Sequence, residues 1–70
     1  MTDADLAEAI TRIEQSITED TFHAGDVLTI EIDNEVSLDQ EYAMYCAACE
    51  ALYFKRCDFV KVKMRRPVEA

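Results

Sequence analysis

The apolar residues of this chain recur first with a helical period and then with a strand period, and this order occurs twice. Helical spacing predicts helices over residues 3–20 and 37–56. Alternation of apolar and polar side chains predicts strands over residues 26–33 and 58–65. Residues 67–70 begin with the only proline and are expected to be frayed. The pattern therefore predicts a helix–strand–helix–strand domain.

The same two periods predict which side chains face the core. In the strands these are the alternate apolar residues Leu28, Ile30, Ile32, Val60, Val62 and Met64. In the first helix they are Leu6, Ile10, Ile13 and Ile17. In the second helix the core spacing is that of Leu38, Tyr42, Tyr45, Cys49 and Leu52. The tyrosines, Tyr53 included, are accordingly expected to be packed rather than catalytic.

Two short motifs indicate where the helices begin. Thr2 with Asp5 has the spacing of a weak capping box, and Ser37 with Gln40 has that of a good one. In such a box the hydroxyl and the residue three positions later satisfy each other's backbone amides. The helices are therefore expected to start next to these residues.

The outward positions of the two strands carry opposite charges. The first strand has Glu31 and Asp33, and the second has Lys61, Lys63 and Arg65. Because opposite charges stabilise neighbouring strands, the two strands are expected to pair. The short connections through the intervening helix then make them parallel with a right-handed crossover. The predicted fold is α+β, with two amphipathic helices on one face of a two-stranded sheet, and dimerisation could extend so small a sheet.

Length and composition restrict the class of protein. Seventy residues correspond to a single small domain. No apolar run approaches the ~20 residues of a membrane helix, and the acidic start is unlike a secretory signal. Three cysteines, an odd number, favour a reducing compartment over a disulfide framework. A cytoplasmic protein, monomeric or homodimeric, is expected.

The net charge of −8 is unevenly distributed. Residues 1–50 hold thirteen acidic side chains and one basic one, and residues 51–70 hold six basic and two acidic ones. An acidic protein would repel phosphates, so direct nucleic-acid binding is not expected. The charge favours a basic protein surface as the partner, or serves solubility alone.

The predicted topology gathers seven carboxylates where both helices begin. We call this set the acidic pole: Asp3, Asp5, Glu8, Asp33, Glu35, Asp39 and Glu41. One explanation is structural, because acidic residues stabilise helix N-termini by capping and through the dipole. Another is functional, because carboxylates ~5–6 Å apart on a helix can imitate the phosphates of a duplex. A third, a divalent-metal site, lacks the glycine and the terminal glutamate of a calcium loop.

The second helix is apolar nearly all round, with Glu50 as the sole charge between Tyr42 and Phe54. Such a helix is covered on more than one side, here by the first helix or by another chain. The residues expected at a possible apolar interface are Ala43, Met44, Ala47, Ala51 and Phe54.

No cofactor, metal ion or catalytic centre is expected. Cys46 and Cys49 have Cys-x-x-Cys spacing, with Cys57 and His23 elsewhere, but the pair lies in mid-helix rather than on a turn or at a helix N-terminus. The cysteines are therefore interpreted as small packed hydrophobes. His23 has no nucleophile placed beside it by a motif, so a non-enzymatic protein is expected.

In size, charge and compact α/β plan, the chain resembles the small acidic inhibitors that bacteriophages make against host nucleases, notably anti-CRISPR proteins and other DNA mimics. The resemblance implies a phage protein in the host bacterial cytoplasm that sterically blocks the DNA-binding surface of a CRISPR surveillance complex. The acidic pole would be the binding surface. The alternative is a small homodimeric adaptor that interacts through the second helix. A protein from a salt-loving organism is a third hypothesis, against which the basic C-terminal segment counts.

Overall fold

The computed structural model describes residues 1–18 and 22–67. Two helices and two strands follow one another in the predicted order, and the α+β class is confirmed. The elements are α1 (Asp3–Ser16), β1 (Val27–Glu31), α2 (Leu38–Phe54) and β2 (Lys61–Arg65).

Both helices begin with the predicted capping boxes. The Thr2 hydroxyl accepts a hydrogen bond from the backbone N–H of Asp5 at 3.1 Å, and the Ser37 hydroxyl accepts one from Gln40 at 3.2 Å. In return, Asp5 and Gln40 accept from the backbone N–H groups of the capping residues. These bonds satisfy amides that the first turn of a helix leaves without a partner.

α2 ends in a Schellman motif, although the sequence lacks the glycine that usually marks one. The backbone N–H of Cys57 donates to the carbonyl of Leu52 at 2.7 Å, and that of Arg56 donates to Tyr53 at 3.1 Å. Arg56 occupies the left-handed position, with φ of 60°, where glycine is the usual residue. The reversal carries Cys57 into the core, where it is 2% exposed.

The two strands pair in parallel, as predicted. The register places Val27 opposite Lys61 and Glu31 opposite Arg65. The ladder continues past β1, because the N–H of Ile32 donates to the carbonyl of Arg65 at 2.9 Å. The strands are neighbours in a two-stranded sheet, so each also has an edge that the other does not cover.

The two helices cover the same face of this sheet. Inward residues of both strands pack with side chains of α1 and α2 in two adjoining clusters. The buried members of these clusters are Ile17, Ile30, Ile32, Val36, Met44, Ala48, Leu52, Cys57 and Val60. The opposite face is open to solvent through the alternate residues Val27, Thr29, Glu31, Lys61, Lys63 and Arg65. The predicted inward set of the strands is therefore confirmed.

Two contacts fix the relative direction of the helices. At one end the Gln40 amide donates to the carbonyl of Met1 at 2.7 Å. At the other end the Lys55 ammonium donates to the carbonyls of Glu14, at 3.1 Å, and of Ile17. A cation here complements the negative end of the α1 dipole. α1 and α2 thus run side by side in the same direction.

The elements are shorter than predicted. α1 ends at Ser16 because Ile17 is extended, at φ −91° and ψ 112°, and is fully buried beside Leu52. The rest of the predicted first helix, residues 19–20, lies outside the described residues, as do residues 68–70 of the expected frayed tail. Residues 58–60 form a turn, in which the N–H of Val60 donates to Cys57, so β2 begins at Lys61.

The predicted core face of α2 was correct for Leu52 and wrong for its other members. The buried residues of this helix are Met44, Ala48 and Leu52, whereas Leu38 is 77% exposed and the three tyrosines, expected to be packed, are 40–69% exposed. Both rows have helical spacing, and small Ala48 at the centre of the inner row lets the helix lie close to its neighbours. Neither α1 nor α2, the helices of the described residues, combines the length and the apolar character needed to cross a membrane.

Candidate protein-binding surfaces

The structure places all seven acidic-pole residues at or near the start of a helix. Asp3 and Asp5 lie in the first turn of α1, and Asp39 and Glu41 lie in the first turn of α2. The Gln40–Met1 hydrogen bond holds these two starts together. Asp33 and Glu35 belong to the segment between β1 and α2, and Glu8 lines a cleft with Asp5 and Glu31.

Three of the seven carboxylates are engaged within the fold. Glu8 accepts from Arg12 one turn later, at 2.7 Å. Asp5 accepts from the backbone N–H of Thr2 in the α1 capping box. Glu41 lies 3.6 Å from the guanidinium of Arg66, and both of these side chains are mostly buried. Nearby cations therefore offset the charge of Glu8 and Glu41, whereas Asp5 keeps its charge and is held in place by the cap.

Arg66 joins the end of β2 to the start of α2. Its guanidinium donates to the carbonyl of Asp33 at 3.1 Å and to that of Val36 at 2.9 Å, besides facing Glu41. A guanidinium has enough donors in a fixed plane to make these contacts together. The segment that carries Asp33 and Glu35 is consequently fixed at both ends.

Six of the seven carboxylates are exposed, all but Glu41. Four of these six have neither an ion-pair partner among the described residues nor a role in a capping box: Asp3, Asp33, Glu35 and Asp39. Asp3 and Asp39 sit in first turns, where the helix dipole stabilises a negative charge. What the acidic pole offers a partner is thus four carboxylates on a rigid support.

The outward side of α2 carries a second surface. We call it the tyrosine row, and its members recur every three or four residues: Leu38, Tyr42, Tyr45, Cys49 and Tyr53. The three tyrosines are 69%, 40% and 69% exposed. Aromatic side chains exposed in a line are typical of surfaces that bind another protein.

The apolar interface predicted from the sequence is only partly on the surface. Met44 is a core residue at 4% exposure, so assigning it to an interface was wrong. Ala43, Ala47 and Ala51 are half-buried, and Phe54 is 78% exposed beside a cleft that Glu14 of α1 also lines. The prediction missed the tyrosine row because both rows of α2 are apolar.

Each of two tyrosines in the row has a cysteine one turn further along. Cys46 raises the pKa of Tyr42, first through a side-chain hydrogen bond and then through repulsion between the two ionised groups. Cys49 raises the pKa of Tyr45 for the same reasons, in the same order. Both phenols are therefore uncharged at neutral pH, and the row remains an apolar surface with hydroxyl groups.

The residues considered for metal or thiol chemistry lie apart. Cys57 is buried, with its thiol donating to the carbonyl of Lys55 at 3.5 Å, as expected of a packed cysteine. Cys46 and Cys49 are half-buried on α2, and His23 is exposed in the turn before β1. Within residues 1–18 and 22–67, no three metal-ligating side chains are grouped to hold an ion.

No protein-family model matches the chain, and no curated protein or solved structure matches it either.

Proposed function

We propose that this protein is a non-enzymatic inhibitor whose acidic pole binds a basic, nucleic-acid-binding surface of another protein. The observation that carries the proposal is the set of four exposed carboxylates, Asp3, Asp33, Glu35 and Asp39, at one rigid end of a protein with a net charge of −8. A surface of Lys and Arg that neutralises phosphates would be attracted by the same charge.

The specific partner that we propose is the DNA-binding face of a CRISPR surveillance complex. The protein would then be an anti-CRISPR-like phage product acting in the cytoplasm of the host bacterium. Occupation of a basic groove by the acidic pole would exclude DNA by its volume and by its charge, with no chemical step. Part of the driving force would be release of the ions that screen the two surfaces, so binding would weaken steeply as salt is added.

Charge reversal at the pole tests this function. Asp33→Lys, Glu35→Lys and Asp39→Lys, combined in one chain, should weaken binding to the basic partner by at least about a hundredfold, since several close charge pairs become repulsive. The measurement is calorimetric titration at two salt concentrations, with duplex DNA as a competitor.

A control variant with the same change in net charge separates the pole from overall acidity. Glu14→Lys, Glu50→Lys and Asp58→Lys alter exposed side chains away from the acidic pole. If both triple variants bind equally well, the pole is not the binding surface. Circular dichroism of each variant verifies that the fold persists.

A second candidate function, a small homodimeric adaptor that interacts through α2, is favoured by the tyrosine row. Such a protein would use its acidic residues for solubility and its aromatic row for association. The two candidates use different surfaces of the molecule, so each can be removed by substitution without the other.

A further inference from the structure

The tyrosine row has the spacing of a helix-pairing seam. Its members are separated by four, three, four and four residues, which keeps them on one side of α2. Coiled-coil seams alternate steps of three and four, and the row follows this alternation from Leu38 to Cys49 before a second step of four reaches Tyr53. The row therefore suits a second helix better than an extended peptide, which would need side chains two residues apart.

The exposed area of the row is close to what a dimer needs at its centre. With about 200 Å² for a complete aromatic side chain, the exposed fractions leave roughly 350 Å² on Tyr42, Tyr45 and Tyr53. Leu38, 77% exposed, enlarges this patch. A standard interface buries about 800 Å² on each partner, of which about 60% is apolar. The row thus supplies most of the apolar area of such an interface.

When α2 is reversed, four of the five row positions fall on row positions and Tyr45 falls on Cys46, which is next to the row. If two copies of α2 run antiparallel about a point between residues 45 and 46, Tyr42 lies level with Cys49 of the other copy. Tyr45 then lies level with the other Cys46, and Tyr53 with the other Leu38. Each tyrosine meets a smaller residue, and this alternation of large and small side chains packs well. In a parallel pair each tyrosine would instead meet its own counterpart.

The antiparallel arrangement sets the two helix dipoles in opposite directions, which is favourable. Asp39 and Glu50 lie on the flank of the row as like charges, and added salt would screen their repulsion.

We propose that the tyrosine row of α2 binds the same row of a second copy of this chain, antiparallel and about a two-fold axis between residues 45 and 46. The pairing is isologous, so it closes as a dimer and does not extend into a filament. The pairing does not rest on the function proposed for the acidic pole, although Asp39 of the pole lies on the flank of the row.

Sedimentation equilibrium with substitutions on two sides of α2 tests the interface. Tyr42→Lys places a charge in the row and should raise the dimer Kd by at least about thirtyfold, as expected for a central aromatic residue. Phe54→Lys adds the same charge to the same helix, on the side towards α1. It removes an edge-to-face contact with the Tyr53 ring, whose centroid is 5.8 Å away, but keeps every member of the row, so it should change the Kd less than about threefold. Circular dichroism verifies that both variants are folded.

Either of two results overturns the interface. One is a chain that remains monomeric at every concentration up to the solubility limit. The other is a dimer that Phe54→Lys disrupts as strongly as Tyr42→Lys. A dimer that tightens as salt is added supports the row, because an interface through the acidic pole and the basic strand would weaken.

Disulfide trapping tests the direction of the pair. Diamide, the oxidant, converts two thiols into one disulfide and is itself reduced. In the antiparallel register the two Cys46 residues are about 1.5 Å apart along the helix axis, whereas the two Cys49 residues are about 10 Å apart. A chain that keeps Cys46, with Cys49→Ser and Cys57→Ser, should therefore form a covalent dimer at least tenfold faster than one that keeps Cys49. Equal rates, or a faster Cys49 chain, would contradict the antiparallel pair.

Discussion

The inner and outer faces of α2 are both apolar, yet one is in the core and the other is in solvent. The inner face is a narrow row of Met44, Ala48 and Leu52, none more than 4% exposed. The outer face is the tyrosine row. The inner row has its smallest residue at the centre, so that the helix can approach α1 and the sheet closely. Hydrophobicity alone therefore does not distinguish the buried face of this helix from the exposed one.

The largest predicted difference in stability is between two leucine truncations, one on the inner face of α2 and one on its outer face. Leu52→Ala should lower the free energy of unfolding by about 3 kcal/mol, because it opens a cavity beside Ile17, Cys57 and Val60. Leu38→Ala makes the same chemical change on the exposed face and should cost less than about 0.5 kcal/mol. The measurement is urea denaturation at high dilution, where association does not contribute. Equal losses would contradict the assignment of the two faces.

A smaller loss of stability is expected when Arg66, which joins the end of β2 to the start of α2, is truncated. Arg66→Ala removes the hydrogen bonds to Asp33 and Val36 and leaves Glu41 without its cation, so stability should fall by about 1–2 kcal/mol. The matched control is Arg65→Ala, which removes the same side chain from the open face of the sheet. Its effect should stay within about 0.5 kcal/mol. If thermal and urea unfolding show that Arg66→Ala costs no more than Arg65→Ala, Arg66 does not hold this segment.

The smallest effect concerns the phenols of the outer face. Cys49→Ala should lower the pKa of Tyr45 towards its ordinary value of 10.0 and leave Tyr42 unchanged, because Cys49 acts on Tyr45 alone. Since folding raises these pKa values, the folded state holds the phenolic protons more tightly than the unfolded chain does. The stability that they contribute is present below pH 10.0 and is lost as the pH rises through the raised values. Alkaline titration of each tyrosine by NMR measures both effects, and an unchanged Tyr45 would exclude the hydrogen bond.

The strands and the topology could be predicted because their signals are simple. A period of two leaves one choice of inward face, and short connections through a helix leave one direction of pairing. The phase of α2 could not be predicted from its period, because two apolar rows compete and the choice depends on the volume available beside α1. The end of α2 was equally hidden, since Arg56 occupies a position that glycine usually marks.

The position of the acidic pole could be predicted from the sequence, but the negative charge that it exposes could not. Capping motifs and topology suffice to bring the two helix starts together, as the Gln40–Met1 contact shows. The sequence does not reveal that Arg66 returns to Glu41, because the two residues are far apart in the chain and meet only after β2 has paired. Ion pairs that form only in the tertiary structure therefore make the acidic pole less negative than the sequence predicts.

The parallel pairing of the strands also fixes the order in which this fold can be completed. The partner of Val27 is Lys61, so the whole of α2 must be made before β1 has a neighbour. On the ribosome, α1 and α2 can form as soon as they emerge, but β1 has to wait. A nascent chain stalled before Lys61 would therefore display helical structure with the edge of β1 unpaired, and in that interval it would be a substrate for chaperones.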